Sequence, residues 1–336
     1  MEHDHGVAQP WLSVLIPVYG VERYLRTCVD SVRAQADAGV EILLLDDASP
    51  DRCGQIVAAL QERHPHTIRS FTHARNRGLS AARNSLLDAA RGRYVWFLDS
   101  DDELLPGAID ELRAIVEADA PDLVLCDFRV LRERRRWRHR LHGEAHRRSY
   151  PGRRPKLSLD RDMLVEGMLQ SRQLHAWSKI ATRDAWRQAP FPEGRFFEDI
   201  AVIPRLVGAT RRWCHAARPW VGYRQREDSI LATMSPRKIH DQLVAMRELR
   251  GGMSRMPGGL DIQANAAVDY FCMRAFASLA RNLPRDDASM DGEFRDAIAA
   301  IFPAGIDRAV EDCRRRGWQL RAWRAQRSLA RKNWLP

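Results

Sequence analysis

The chain has 336 residues, 45% of them apolar and 29% charged, which is enough for one large core or two smaller ones and excludes a disordered chain. Formal net charge is +10, from 54 basic and 44 acidic residues. No stretch approaches the roughly 18 uncharged apolar residues of a membrane-spanning helix; Met1-Glu-His-Asp-His lacks the basic-then-apolar order of a secretory signal; and Cys28, Cys53, Cys126, Cys214, Cys272 and Cys313 lie far apart with no C-x-x-C pair, which argues against a zinc ribbon or disulfide scaffold and for reduced thiols in a soluble cytoplasmic protein.

The first half alternates short apolar runs with helix-like stretches. Leu12–Val18 reads as a buried strand, followed by a helix from about Glu22 to Ala36. Glu41–Leu45 is a second strand ending at Asp46-Asp47, and Ser49-Pro-Asp51 supplies turn chemistry before a helix to about Arg63. A strand near Thr67–Thr72, a helix from Ser80 to Ala90, a strand over Tyr94–Leu98, a helix from Pro106 to Glu117 and a strand over Leu123–Cys126 complete the pattern. Continuous apolar strands joined by crossover helices predict an α/β fold, a mostly parallel sheet with helices on both faces. Beyond it the alternation fades into helical stretches near Ser158–Leu169, Asp199–Leu206, Lys238–Met253, Ala264–Arg281 and Asp307–Arg331, with short strand-like pieces at Trp213 and Trp220–Tyr223. The expected division is residues 11–235 as one domain, with a basic insertion over 132–154, and 236–336 as a helical C-terminal region.

Charge is uneven. Arg132 to Arg154 holds ten Arg against two Glu, and Cys313 to the end holds seven Arg and one Lys with no acid. The first patch reads as a solvated face or, with Trp137 and several His interleaved, as a nucleic-acid contact, yet no helix-turn-helix, zinc-finger or RNA-binding signature accompanies either patch. In the second, Trp318, Ala322, Ala325 and Leu329 form one helical stripe, widened by Trp323, Ala330 and Trp334, opposite Arg321, Arg324, Arg327 and Arg331. That pattern suits a helix lying on an anionic membrane surface, and equally a helix packed on its own domain.

In open parallel sheets, ligands bind beyond the carboxyl ends of the strands. There the chain places Pro17-Val-Tyr19-Gly20, Asp46-Asp47 and Asp99-Ser-Asp101-Asp102. On spacing alone D-S-D-D is also an acidic turn or helix cap. Carboxylates gathered without a cation raise one another's pKa, a conflict that a hard divalent ion such as Mg²⁺ or Mn²⁺ resolves. Arg75, Arg77, Arg83 and Asn84 precede the fourth strand and are placed to reach this rim, although Arg83 reads equally well as a helix-surface charge.

Four segments in this order, Ser13–Tyr19 (SVLIPVY), Leu45–Asp51 (LDDASPD), Asn76–Asn84 (NRGLSAARN) and Trp96–Asp102 (WFLDSDD), resemble the family 2 inverting glycosyltransferases of surface-polysaccharide type. The resemblance is strong from Trp11 to Phe128 and thinner to about Ile230. It implies a GT-A fold, transfer of a sugar from a nucleoside diphosphate sugar, usually a UDP-sugar, and a divalent cation, Mn²⁺ or Mg²⁺. By this likeness Pro17 and Tyr19 line the base pocket, Asp47 with Asp46 beside it hydrogen-bonds the base, Asp99 approaches the ribose or sugar, and Asp101 coordinates the metal on the diphosphate. Asp102 matches a frequent extra acid. Trp177-Ser-Lys-Ile180 and Phe196-Phe-Glu-Asp-Ile200 are similar to further W-x-K and E-D motifs of such enzymes, which makes Asp199 the expected catalytic base. Taken bare, Glu198-Asp199 is equally a helix N-terminal acid pair. Tyr223–Ile230 resembles a following segment that would bring Arg226 and Ser229 to the diphosphate. The implied acceptor is a saccharide or lipid-linked hydroxyl at the inner membrane face, with peripheral contact to anionic lipid and no nucleic acid. A sugar-nucleotide pyrophosphorylase would carry a Gly-rich loop after the first strand, where only Gly20 stands, and a D-x-D phosphatase would carry its motif after the first strand rather than the fourth. A non-catalytic nucleic-acid-binding protein is the remaining alternative, suggested only by the basic segments.

Overall fold

The computed structural model describes residues 9–132, 145–151, 157–225, 234–283 and 290–330. Most of the basic segment over 132–154, together with Arg226, Ser229 and Trp334, lies outside the described residues. The chain forms two compact units: residues 1–159, 175–194 and 209–229 make the first, and residues 160–174, 195–208 and 230–336 the second.

The first unit is built on an eight-stranded sheet of order β3-β2-β1-β4-β7-β6-β8-β5. Its strands are β1 (Leu12–Val18), β2 (Val40–Asp46), β3 (Ile68–Thr72), β4 (Tyr94–Phe97), β5 (Glu103–Leu104), β6 (Leu123–Leu131), β7 (Lys179–Thr182) and β8 (Trp213–Arg224). Helices α1 (Leu25–Arg33), α2 (Cys53–Arg63), α3 (Leu79–Ala89) and α4 (Ala108–Asp119) connect the first strands, and α6 (Arg183–Arg187) follows β7. Every residue of β1, β2 and β4 is buried, which explains the unbroken apolar runs: both sheet faces are covered. β1 runs parallel to β2 and β4, and β2 parallel to β3. β7 is antiparallel to both β4 and β6, while β6 runs parallel to β8 with register shifts on either side of Asp127. The two strand-like pieces expected around Trp213 and Trp220 are thus one strand, bent at those shifts.

At the amino ends of the strands the buried Glu41 is fully satisfied. It accepts from the Ser13 hydroxyl, the Arg91 and Gly92 amides at 2.7 and 3.2 Å, and the Arg69 guanidinium at 3.0 Å. Gly92 is required there, because a Cβ would come within 2.6 Å of the Ser13 amide nitrogen.

The second unit is helical: α5 (Arg161–Ser171), α7 (Glu198–Ala201), α8 (Ile203–Gly208), α9 (Pro236–Ser254), α10 (Ile262–Asn282), α11 (Asp291–Ile301), α12 (Ile306–Arg315) and α13 (Gln319–Ala330). Asp160, Ser235 and Asp261 cap α5, α9 and α10 by accepting from the third residue on. The single helix expected over Asp307–Arg331 is two. Gly317, at φ 75°, ends α12 in a Schellman turn, its N–H donating to the Arg314 carbonyl and that of Trp318 to the Cys313 carbonyl. In α13, Ala322, Ala325 and Leu329 are buried in this unit, whereas Leu320 and Trp323 are more than half exposed. Among the described residues no helix is long and apolar enough to cross a membrane.

Candidate functional site

The order β2-β1-β4 has a topological consequence. The chain winds from β1 outward through β2 and β3, then returns to the other side of β1 as β4, so β1/β4 is the switch point where a crevice opens at the carboxyl ends. β1 and β4 stay in register only to Leu15 and Phe97, while β1 continues alongside β2 to Val18 and Asp46. Pro17, which has no amide hydrogen, sits where β1 has lost β4 as a partner. Tyr19 follows, half exposed at 50%, and Gly20 turns the chain with φ 61° while its N–H donates to Ser49 Oγ at 3.2 Å.

The three aspartates after β4 stand differently. Asp99 is about a third exposed and paired with Arg83, whose Nη2 donates to its Oδ1 at 2.9 Å. Arg83 is buried to 1% exposure, packed over the Phe191 ring, and is therefore a rim residue rather than a helix-surface charge. Asp102 is equally buried. Its Oδ1 accepts the Arg224 amide at 2.7 Å, and its Oδ2 has no hydrogen-bond partner among the described residues. Burial first, then the Asp99 and Asp101 carboxylates, push Asp102 well above the usual carboxylate range against the opposing pull of Arg224. The same acids act on Cys28: burial, then Asp102, Asp101, Asp99 and Glu103, raise its thiol far above the ordinary value. Asp127, elsewhere in this unit, shows what a buried aspartate looks like when provided for. Burial alone would raise it, but hydrogen bonds from His215, His146 and the Ser149 amide hold it below the usual value.

After β2 the pair divides its work. Asp46 Oδ1 accepts the Ser49 amide at 3.1 Å. Asp47 Oδ1 accepts the Arg77 amide at 2.9 Å and meets His73 Nδ1 at 2.6 Å, while Oδ2 accepts the Gly78 amide at 2.7 Å. Asp47 therefore ties the segment before α3 to the tip of β2. In that segment the Arg77 side chain pairs with Glu193 at 3.2 Å and Arg75 is exposed, while Asn84, within α3, exchanges two hydrogen bonds with the Phe191 backbone.

Arg224, at the end of β8, is a rim residue that the sequence reading passed over in favour of Arg226, two positions on. Its amide serves Asp102, its Nε donates to the Asp101 carbonyl at 2.9 Å, and its guanidinium lies over Tyr24. His73 was also missed, because nothing in its spacing marks it. Trp177 is buried in an aromatic stack with His175 and Tyr223, and Lys179 is buried with Nζ donating to the His175 carbonyl at 2.8 Å.

Asp199 belongs to the second unit, half-buried in the one-turn helix α7. The chain is fixed before it by an Arg195–Glu248 ion pair at 2.8 Å and by the Phe196 amide donating to the buried Asp241 at 3.1 Å. Phe197 then adopts a left-handed conformation at φ 60°, strained for a bulky residue, and turns the chain into Glu198-Asp199.

Residues 13–173 match the family described as Glycosyl transferase family 2. The glycosyltransferase EpsJ of Bacillus subtilis is 38% identical over 119 residues, covering 35% of this chain and 34% of that protein. The glycosyltransferase GlyA of Streptococcus pneumoniae is 27% identical over 246 residues, covering 70% of this chain and 34% of its own length. The chain thus spans about a third of the length of these curated relatives. Residues 1–349 of S. aureus TarS, solved in complex with UDP-GlcNAc, superpose with a TM-score of 0.71 at 18% identity, over 96% of this chain and 89% of that one. That likeness shows the fold, a GT-A arrangement of a mainly parallel sheet with helices and a helical C-terminal region.

Proposed function

Residues 13–173 match glycosyl transferase family 2, and on that premise we propose that this chain is an inverting, metal-dependent glycosyltransferase moving a sugar from a UDP-sugar to a hydroxyl of a saccharide or lipid-linked acceptor in surface-polysaccharide synthesis. One observation carries the reading: a buried aspartate, Asp102, raised by its burial and then by two neighbouring carboxylates, and holding an unpartnered oxygen, at the switch-point crevice of a nucleotide-binding type of sheet. Such an oxygen is a hard donor, and Asp101 and Asp102 are the residues that would hold Mn²⁺ or Mg²⁺. Among the described residues no group of three or more His, Cys, Asp or Glu is arranged to hold a metal by itself. A protein pair suits these ions, which keep waters and take substrate phosphates as further ligands. When bound, the ion would serve as a Lewis acid for the departing diphosphate.

The chain's own residues would do the rest. Pro17 and Tyr19 would face the base, with Asp46 beside them. Asp47 would act chiefly by holding the segment before α3, since both its oxygens already accept hydrogen bonds. Arg83 would orient Asp99 toward the ribose or sugar, and Arg226 and Ser229 are assigned to the diphosphate. Asp199 would accept the proton of the acceptor hydroxyl as it attacks the anomeric carbon from the face opposite the leaving group. One base and a single displacement invert the anomeric centre, as in single-step hydrolases.

A screen of UDP-sugars with Mn²⁺, reading UDP release and product anomer by NMR, tests this. Asp101→Asn or excess EDTA should abolish turnover, and Asp199→Asn should lower kcat by about a hundredfold or more, as loss of a general base does, while leaving UDP binding intact. Undiminished transfer in EDTA would remove Asp101 from its role, and near-normal turnover by Asp199→Asn would overturn the base assignment.

A further inference from the structure

The second unit carries a cluster of positive charge that the proposed sugar transfer does not use. A cleft between α10 and α13 is lined by Arg274, Arg281, Trp323, Arg324, Arg327 and Ser328. The acid of α10, Asp269, is paired with Arg250 on α9 at 3.4 Å and is not available to these arginines. Among the described residues none of the four lining arginines has a carboxylate partner. Arg281 donates to Ser328 Oγ at 3.2 Å, Arg327 lies 5.4 Å from the Trp323 ring centre, and Arg274 keeps a buried Nε with no hydrogen-bond acceptor. Arg172 and Arg321 add to the same field. Burial and then Arg274 lower Arg281, and burial, Arg274 and Arg321 act the same way on Arg172. Arg281 and Arg327 stand in the last turns of their helices, where the dipole partly offsets a positive charge, whereas Arg274 and Arg324 do not. Four guanidinium forks converging without an acid form a cleft electrostatically incomplete by itself.

We propose that this cleft binds a phosphate-bearing anion, through charge-assisted hydrogen bonds from Arg274, Arg281, Arg324 and Arg327 to its phosphate oxygens. Guanidinium forks match tetrahedral phosphate oxygens bidentately, which a monatomic anion cannot exploit. The half-exposed Trp323 beside Arg327 offers an apolar flank for whatever the phosphate is attached to. The proposal is independent of the donor-sugar reading.

The test uses the full chain in EDTA without nucleotide. Calorimetry with inorganic tripolyphosphate should show binding that Arg274→Gln/Arg281→Gln and, separately, Arg324→Gln/Arg327→Gln each weaken at least tenfold. Without the anion both double variants should melt no lower than the parent, because like charges have been removed. Vesicles of equimolar phosphatidylglycerol and phosphatidylcholine, against phosphatidylcholine alone, identify the source. Variant-sensitive binding to tripolyphosphate alone assigns a soluble phosphate chain, and variant-sensitive binding to the anionic vesicles assigns a lipid headgroup. Equal binding by parent and both variants, binding to neither probe, or complete displacement by chloride at matched ionic strength would overturn the proposal.

Discussion

Replacing Asp102 with asparagine should stabilise the metal-free protein at neutral pH, although the residue is almost fully buried. Asparagine keeps an oxygen for the Arg224 amide, now 2.7 Å from Asp102 Oδ1, and puts an N–H₂ donor where Oδ2 has no partner. A buried acceptor left unsatisfied costs about 1–3 kcal/mol, and a carboxyl raised by burial and by neighbouring acids costs more when it is forced to ionise. A gain of about 1–3 kcal/mol at pH 7.5 follows, which in a unit of about 200 residues is about 2–4 °C of melting temperature per kcal/mol. The sign with pH is fixed. Because the folded-state pKa is raised by burial, Asp99 and Asp101, the cost is fully present above that pKa and is relieved as pH falls toward the unfolded value of about 3.9. The advantage of the variant should therefore shrink on acidification. Urea melts of both proteins in EDTA, from pH 7.5 downward, measure it, and adding Mn²⁺ with UDP should reverse the order. A variant less stable than the parent by the same amount at every pH would refute the reasoning.

Arg83→Met should cost about 1–2 kcal/mol in urea melts, below the ~3–5 kcal/mol of a fully buried pair because Asp99 is about a third exposed; it should also weaken UDP binding, and unchanged UDP affinity would detach Arg83 from the donor site. Gly317→Ala should destabilise the second unit by about 1 kcal/mol or more, since φ 75° suits glycine and the Schellman turn depends on it. Its signature is a lower helical melting temperature with UDP binding unaltered.

The elements that position the rim were readable because they obey one rule: a strand covered on both faces is apolar along its middle, as β1, β2 and β4 are, with polar residues such as Ser13, Glu41 and Asp46 confined to the strand ends, where hydrogen bonds satisfy them. β7 escaped notice because Lys179–Thr182 is four residues long and begins with a charged side chain, which is buried only because Nζ reaches the His175 carbonyl. α11 was missed although Phe294, Ala297 and Ile301 repeat at helical spacing, since Gly292 in its first turn dilutes the pattern. At the rim, residue types showed which carboxylates gather but not which are already engaged. That Asp47 is saturated by the segment before α3, whereas Asp102 is half empty, depends on backbone amides that no sequence pattern displays. Arg224 was within two residues of the arginine singled out, and strand alternation alone did not choose between them. The left-handed Phe197 carries no signal either, being a conformation that its own side chain disfavours.

All six cysteines are free and buried. Burial, as the first cause, pushes the thiols of Cys53, Cys214 and Cys272 up to about 12 and that of Cys313 to about 11, and Cys28 and Cys126 rise as well. Thiolate is the nucleophile in alkylation, so at neutral pH the native sulfurs are poor targets for maleimides. One cysteine introduced on the surface would therefore take a fluorophore or spin label selectively, with no need to strip the native ones out first.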